Sequence, residues 1–299
     1  IAGKGKASQS IPVINEFFSK HGLSYEIHLT KYPGHAIDLA RSFAENESRT
    51  IVAAGGDGTC NEVINGLMQA KPNIRHVPLF GVLPIGRGND FAYGAHIPSD
   101  LKKSLLTLLR MQIQPMDVGL VVGGDYPQGR FFGNGIGVGF DTIVGLEAAR
   151  MKNLHGAAAY FWGALKTIIL YPPAPTIDLT FDDSCKQVKP AIISIMNGNR
   201  MGGIFFMSPE ANNNDGILNL CTTQQGTRRA LLKTMVHYIK GSQSILDNTT
   251  TLQSPAFTLK ATEGVLVVHA DGETICEAGT ELEITCLPAA LKIICHPEI

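Results

Sequence analysis

No apolar run in the 299 residues approaches the ~20 needed to cross a bilayer as a helix. The best candidate, Ala157 to Tyr171, is broken by Lys166 and stops at Pro172. Charge of one sign is not in excess either. Lys plus Arg number 25 and Asp plus Glu 26, a net of -1, which excludes a general polyanion-binding surface and argues against nucleic acid as the main ligand. The nine histidines form no HExxH or other metal spacing, so zinc is not expected. Ser8, Ser208 and Ser254 lack the context of a hydrolase nucleophile. The six cysteines form no CxxC pair, and thiols in a reducing cytosol explain them better than disulfides. Aromatics make up only 7%, whereas apolar residues reach 44% and glycines number 32. That composition buries a real core and suits a loop-rich α/β protein.

Ser10 to Lys20 sets Ile11, Ile14 and Phe18 on one helical face and ends at His21-Gly22. Leu23 to Leu29 alternates like a strand, and Gly34 to Glu45 is helical again. Thr50 to Ala54 is a short apolar run ending in Gly55-Gly56-Asp57-Gly58-Thr59, after which Val63, Ile64 and Leu67 mark a helix. His76 to Leu83 is a further strand, ending in Pro84-Ile85-Gly86-Arg87-Gly88-Asn89-Asp90-Phe91. Strands alternating with helices predict parallel βαβ units, whose ligands collect beyond the carboxyl ends of the strands. Both glycine clusters sit at such ends. Ile1-Ala2-Gly3 itself reads like the end of a strand, so the natural N-terminus is expected upstream of it.

After Met116 the pattern changes to short strands separated by Gly, Asn, Asp and Pro: 118–122, 133–140, 176–181, 191–196, 217–221, 256–261, 265–270 and 282–286. This predicts an antiparallel sandwich, interrupted by helices near 142–170 and 227–245.

In Gly55 to Thr59 the glycines free backbone N–H groups for an anion, and the following helix adds its positive end. An Asp among them makes sense if a divalent metal bridges it to phosphates; the bland alternative is an ordinary turn with Thr59 or Asn61 as cap. Neither the dinucleotide fingerprint nor the GK[ST] loop is matched here. The second cluster repeats the arrangement one unit later, with Arg87 and Asp90, and Asp117 follows at the transition. Three acidic residues at adjoining strand ends suit a magnesium nucleotide. Asn212-Asn-Asn-Asp-Gly216 is by itself a turn, and so is Asp271-Gly272. Strand alternation would point Asp271 and Glu273 to one face.

Together these motifs closely resemble the diacylglycerol kinase catalytic family, in its bacterial soluble branch, which also includes sphingosine and ceramide kinases. The resemblance runs through Ala2 to Ala7, Gly55 to Val63, Leu83 to Phe91, Gly133 to Gly137, Asn212 to Gly216 and Asp271 to Glu273. It implies an α/β nucleotide-binding domain of the phosphofructokinase and NAD-kinase type over 1–116, joined by 287–299, and a β-rich lipid-binding and catalytic sandwich over 117–286. It implies ATP and Mg²⁺ as cofactors. Gly3, Thr30, Gly55, Gly56, Asp57, Gly58, Thr59, Asn61 and Glu62 would hold the nucleotide. Arg87, where the family usually has Thr, would contact phosphate. Asp57 would lie near the catalytic metal, and Asp90 and Asp117 would organise metal-bound water. Asn212, Asp215 and Ile217 resemble a structural Mg²⁺ site. Asp271 or Glu273 would be the base.

The implied reaction is phosphorylation of a lipid primary hydroxyl, diacylglycerol to phosphatidic acid. A sphingoid-base or ceramide kinase and a non-catalytic lipid-binding regulator are the alternatives. A cytoplasmic protein touching membrane surfaces peripherally follows, with a homodimer left open. Thr227 to Lys240 supports the contact: Leu232, Met235, Val236 and Ile239 lie on one side, and Arg229, Lys233 and His237 on another. Packing against the core with a solvated basic face is the competing expectation.

Overall fold

The computed structural model describes residues 6–140, 142–144, 166–167, 170 and 173–296. The chain divides into two compact units. The first comprises Ile1–Val118, Asn213–Asp215 and Leu287–Ile299, and the second Gly119–Asn212 and Gly216–Cys286.

The first unit holds helices α1 (Lys6–Lys20), α2 (His35–Glu45), α3 (Asp57–Ala70), α4 (Asp90–Gly94) and α5 (Leu101–Arg110), with strands β1 (Thr50–Gly55) and β2 (Leu79–Pro84). β1 and β2 pair in parallel from Thr50↔Leu79 to Gly55↔Pro84, so both strands end level at the two glycine loops. Ile14, Leu83, Leu105, Leu108 and Ile294 form one core of this unit. On α2, Ala36, Ala40 and Ala44 are buried, and Ala40 faces Gly66 of α3. A methyl on Gly66 would overlap the Ile37 carbonyl and lie 2.7 Å from Ala40 Cβ, so the crossing depends on the bare glycine.

The run Leu23–Leu29 is not a strand. It alternates correctly, but a strand exists only where a neighbour takes its backbone hydrogen bonds. Among the described residues none pairs with it, and Leu29 is 64% exposed.

The second unit is a sandwich of two sheets. Strands β3 (Ile113–Gly123), β4 (Tyr126–Phe132), β5 (Gly135–Gly139), β6 (Thr176–Phe181), β7 (Ser184–Val188), β8 (Pro190–Met196) and β9 (Leu218–Gln224) come first. β10 (Thr249–Ser254), β11 (Ala256–Glu263), β12 (Leu266–Ala270), β13 (Glu273–Gly279) and β14 (Glu281–Ile294) follow the helix α6 (Arg228–Lys240), and residues 113–118 of β3 and 287–294 of β14 count with the first unit. One sheet runs β10-β9-β8-β5-β12-β13, antiparallel throughout. The facing sheet pairs β14, β11, β6 and β7, again antiparallel, and β3 forms a hairpin with β4. The core lies between them: Ile177, Leu179, Phe257 and Leu259 from one sheet meet Ile136, Val138, Ile193 and Leu220 from the other. α6 covers the outer face of the β8-β9 sheet, where Leu231 and Tyr238 join Ile192, Met196 and Cys221. The expected helix near 142–170 falls mostly outside the described residues. All six cysteines are free thiols, five buried and Cys185 exposed. No helix of the described residues is long and apolar enough to cross a membrane.

Candidate active site

In the first unit the two glycine loops are stitched together by backbone bonds. The Gly55 carbonyl accepts from Ile85 N at 2.8 Å and from Gly86 N at 3.1 Å. Gly56 and Gly86 meet backbone to backbone: a Cβ on Gly56 would lie 3.1 Å from Gly86 Cα, and one on Gly86 would overlap Gly56. Gly56 is the N-cap of the 14-residue α3, so the amides of Gly58 and Thr59, which have no carbonyl of their own helix to bond, open at the loop.

Two carboxylates converge beside these loops. The Oδ2 atoms of Asp57 and Asp90 lie 3.1 and 3.3 Å from the point a Gly88 Cβ would occupy. Asp57 Oδ1 accepts the Phe91 N–H at 2.9 Å, which fixes its rotation. Asp90 is buried and Arg87 is exposed at the loop tip. Asn89 takes a left-handed φ of 50° and donates its Nδ2 to the carbonyls of Pro84 and Gly86. Its Oδ1 is buried with no hydrogen-bond partner.

Other expected residues are held differently. Glu62 gives one carboxylate oxygen to Gly34 N and the other to Ala36 N, each at 2.9 Å, and so caps α2. Asn61 is fully buried and accepts from Asn65 within α3. Thr30 lies in the unpaired segment before α2, and Gly3 lies outside the described residues. Asp117 is buried; its N–H bonds the Asn213 carbonyl at 2.7 Å and its Oδ1 accepts from Ala289 N at 2.7 Å. Asp215 is exposed and counts with the first unit, whereas Asn212 and Ile217 count with the second.

In the second unit Asp271 lies in a turn and not in a strand. Asp271 and Gly272 have φ of 49° and 86°, the left-handed pair that a two-residue hairpin between β12 and β13 requires. The alternation expected to align Asp271 with Glu273 therefore does not apply. Three backbone amides hold the Asp271 carboxylate: Gly133 N at 2.7 Å on Oδ2, Asn134 N at 3.0 Å and Gly135 N at 2.9 Å on Oδ1. In return Asp271 N bonds the Gly135 carbonyl. Glu273 opens β13 and is exposed. The three amide donors escaped the sequence reading because Gly133 and Asn134 pass for the start of a strand, which begins at Gly135.

Residues 1–121 match the family described as the diacylglycerol kinase catalytic domain. Residues 134–295 match the YegS C-terminal NAD kinase beta sandwich-like domain. A curated relative from Chromohalobacter salexigens, "Probable lipid kinase YegS-like", is 31% identical over 274 residues, covering 90% of this chain and 84% of its own. The chain belongs to the diacylglycerol kinase catalytic family. Within that lipid-kinase family the diacylglycerol kinase of Bacillus subtilis is 28% identical over 226 residues, 75% of this chain and 71% of that one. The fold agrees with the crystal structure of a diacylglycerol kinase from Bacillus anthracis, at TM-score 0.69 and 18% identity, covering 98% and 92% of the two chains. It also reaches an NAD kinase from Archaeoglobus fulgidus in complex with ATP, at TM-score 0.51 and 12% identity over 95% and 89%.

The Asp57–Asp90 pair fits the metal the family implies. Among the described residues no group of three or more His, Cys, Asp and Glu side chains gathers into a metal site. Mg²⁺ binds in kinase sites through one or two carboxylates and fills its remaining positions with water and substrate phosphate. Two carboxylates beside bare glycine backbone leave room for both.

Proposed function

We propose that the protein is an ATP- and Mg²⁺-dependent kinase that phosphorylates the primary hydroxyl of diacylglycerol, yielding phosphatidic acid and ADP. The observation that carries the reading is the pair of stitched glycine loops with Asp57 and Asp90 side by side on them. The opening turn of α3 and the exposed Arg87 receive the phosphates of the substrate ATP, as amides and a guanidinium suit anionic oxygens. Asp57 and Asp90 would hold the magnesium, which would neutralise the charge that grows on the transferred group. The lipid hydroxyl oxygen forms the new bond to the γ-phosphorus, the bond to the ADP oxygen breaks, and the hydroxyl proton passes to a carboxylate.

Asp271 is that carboxylate. A base works only when it is aimed, and three amides aim this one, whereas Glu273 is an exposed strand-end side chain. A cytoplasmic enzyme working at the membrane surface fits a substrate confined to the bilayer.

The test follows ATP consumption and labelled product with diacylglycerol, sphingoid base and ceramide dispersed in detergent, with and without Mg²⁺. Magnesium-dependent phosphatidic acid supports the reading. Transfer to a sphingoid base or ceramide alone moves the substrate, and no transfer with any lipid leaves a binding protein.

A further inference from the structure

The helix α6 shows two apolar faces, and only one of them is buried. Leu231, Thr234 and Tyr238 point into the unit and Met235 packs beside them. The Tyr238 hydroxyl lies 3.3 Å from Cys221 Sγ and 3.1 Å from Thr223 Oγ1 on β9. Those contacts fix the rotation of the helix about its axis. At about 100° per residue one flank, about a third of a turn from the buried side, carries Leu232, Val236 and Ile239, and beyond it, opposite the core, stand Arg229, Lys233 and Lys240, with His237 after them. The three apolar residues are 50%, 48% and 45% exposed, and Ile245 in the turn beyond the helix is 70% exposed. The stripe expected from the sequence is split: Met235 turns to the core, so the helix does pack there with its basic face exposed, while Leu232, Val236 and Ile239 stay half-exposed.

Charge singles the helix out as well. The chain beyond residue 116 carries thirteen basic and seventeen acidic residues, yet the thirteen residues of α6 include two Arg, two Lys and one His and no acid. The carboxylates nearest in sequence, Asp215 and Asp247, lie outside it. Gly241 and the Thr227 side chain cap the two ends, so the helix is a complete, rigid element.

We infer that the outer face of α6 is the surface on which this protein docks to an anionic lipid bilayer. Leu232, Val236 and Ile239 enter the interfacial layer while Arg229, Lys233 and Lys240 meet anionic headgroups, the arrangement of a helix lying in the membrane plane. A protein partner would need a complementary acidic groove, whereas an anionic bilayer supplies negative charge and apolar depth together. The inference rests on the reading of the protein as an enzyme acting on lipid.

Sedimentation of the full chain with vesicles of equimolar phosphatidylcholine and phosphatidylglycerol, against pure phosphatidylcholine, is the test. The wild type should sediment with the anionic vesicles and release as salt rises. R229E/K233E should weaken that binding more than about tenfold at low salt. L232S/I239S should weaken it too, with less salt dependence left to lose. Both variants should melt as the wild type does, since the four side chains are exposed, and both should keep wild-type turnover on detergent-dispersed lipid. Wild-type sedimentation by both variants, or none by the wild type, overturns the assignment. Sedimentation through this helix without phosphorylation of any dispersed lipid sinks the kinase reading alone. Phosphorylation without sedimentation sinks this one alone.

Discussion

Asp57 does two jobs with its two oxygens, and substitutions separate them. Oδ1 accepts the Phe91 N–H and Oδ2 faces Asp90 across Gly88. D57N keeps an oxygen for Phe91 but removes the charge, so turnover should fall at least ~10²-fold with the melting temperature unchanged. D57A also strands the amide and should cost about 1 kcal/mol more in chemical denaturation. Near-normal turnover in D57N would remove Asp57 from the chemistry. At Asp271 the amide nitrogen of D271N would face the donors of Gly133, Asn134 and Gly135, so both stability and rate should drop. E273Q should leave both within a few-fold. A single-turnover rate that collapses in E273Q and survives in D271N reverses the assignment of the base. Asp57, Asp90 and the Asp-Gly turn were legible in sequence, because glycine and carboxylate in one short run leave few physical uses. The partners of Asp271 and Glu62 were not, since they lie 136 to 138 and 26 to 28 residues away along the chain.

At the scale of elements, α2 and α3 cross so closely that Gly66 has no room for a side chain. G66A should lose about 1–3 kcal/mol by urea denaturation, because a methyl must displace the Ile37 backbone. A change within ~0.5 kcal/mol would mean that the helices separate freely. Four strands escaped the sequence reading, β4, β7, β10 and β13, and among the described residues each stands at the edge of its sheet with a single partner. β7 shows four exposed residues of five, and β10 reads TTTLQS. Edge strands turn little apolar surface inward, so they lack the pattern by which interior strands such as β8 and β11 announce themselves. Leu23–Leu29 is the converse: it has the alternation and, among the described residues, lacks the partner.

Over the whole molecule the thiols report the packing. Burial raises the Cys221, Cys276 and Cys295 thiols above their ordinary range. The unfolded chain then ionises these groups at a lower pH than the folded one. Their contribution is complete below the ordinary thiol range and is lost as pH rises through it toward the folded values, so the melting temperature should fall on the alkaline side. Ellman's reagent should titrate Cys185 rapidly and the other five thiols only on unfolding. Several fast thiols, with a flat alkaline melting profile, would contradict the packing described. The division into an α/β part and a β-rich part, and the order of the phosphate motifs, were already determined by local patterns, because hydrophobic period and turn chemistry act within a few residues. Only the tertiary structure decided that β14 runs from the sandwich to lie beside β2, that Asp271 is clamped, and which stripe of α6 faces outward. Each of those is set by a contact between residues distant in the chain, and two apolar stripes on one helix are equivalent until a partner such as Tyr238 finds its place.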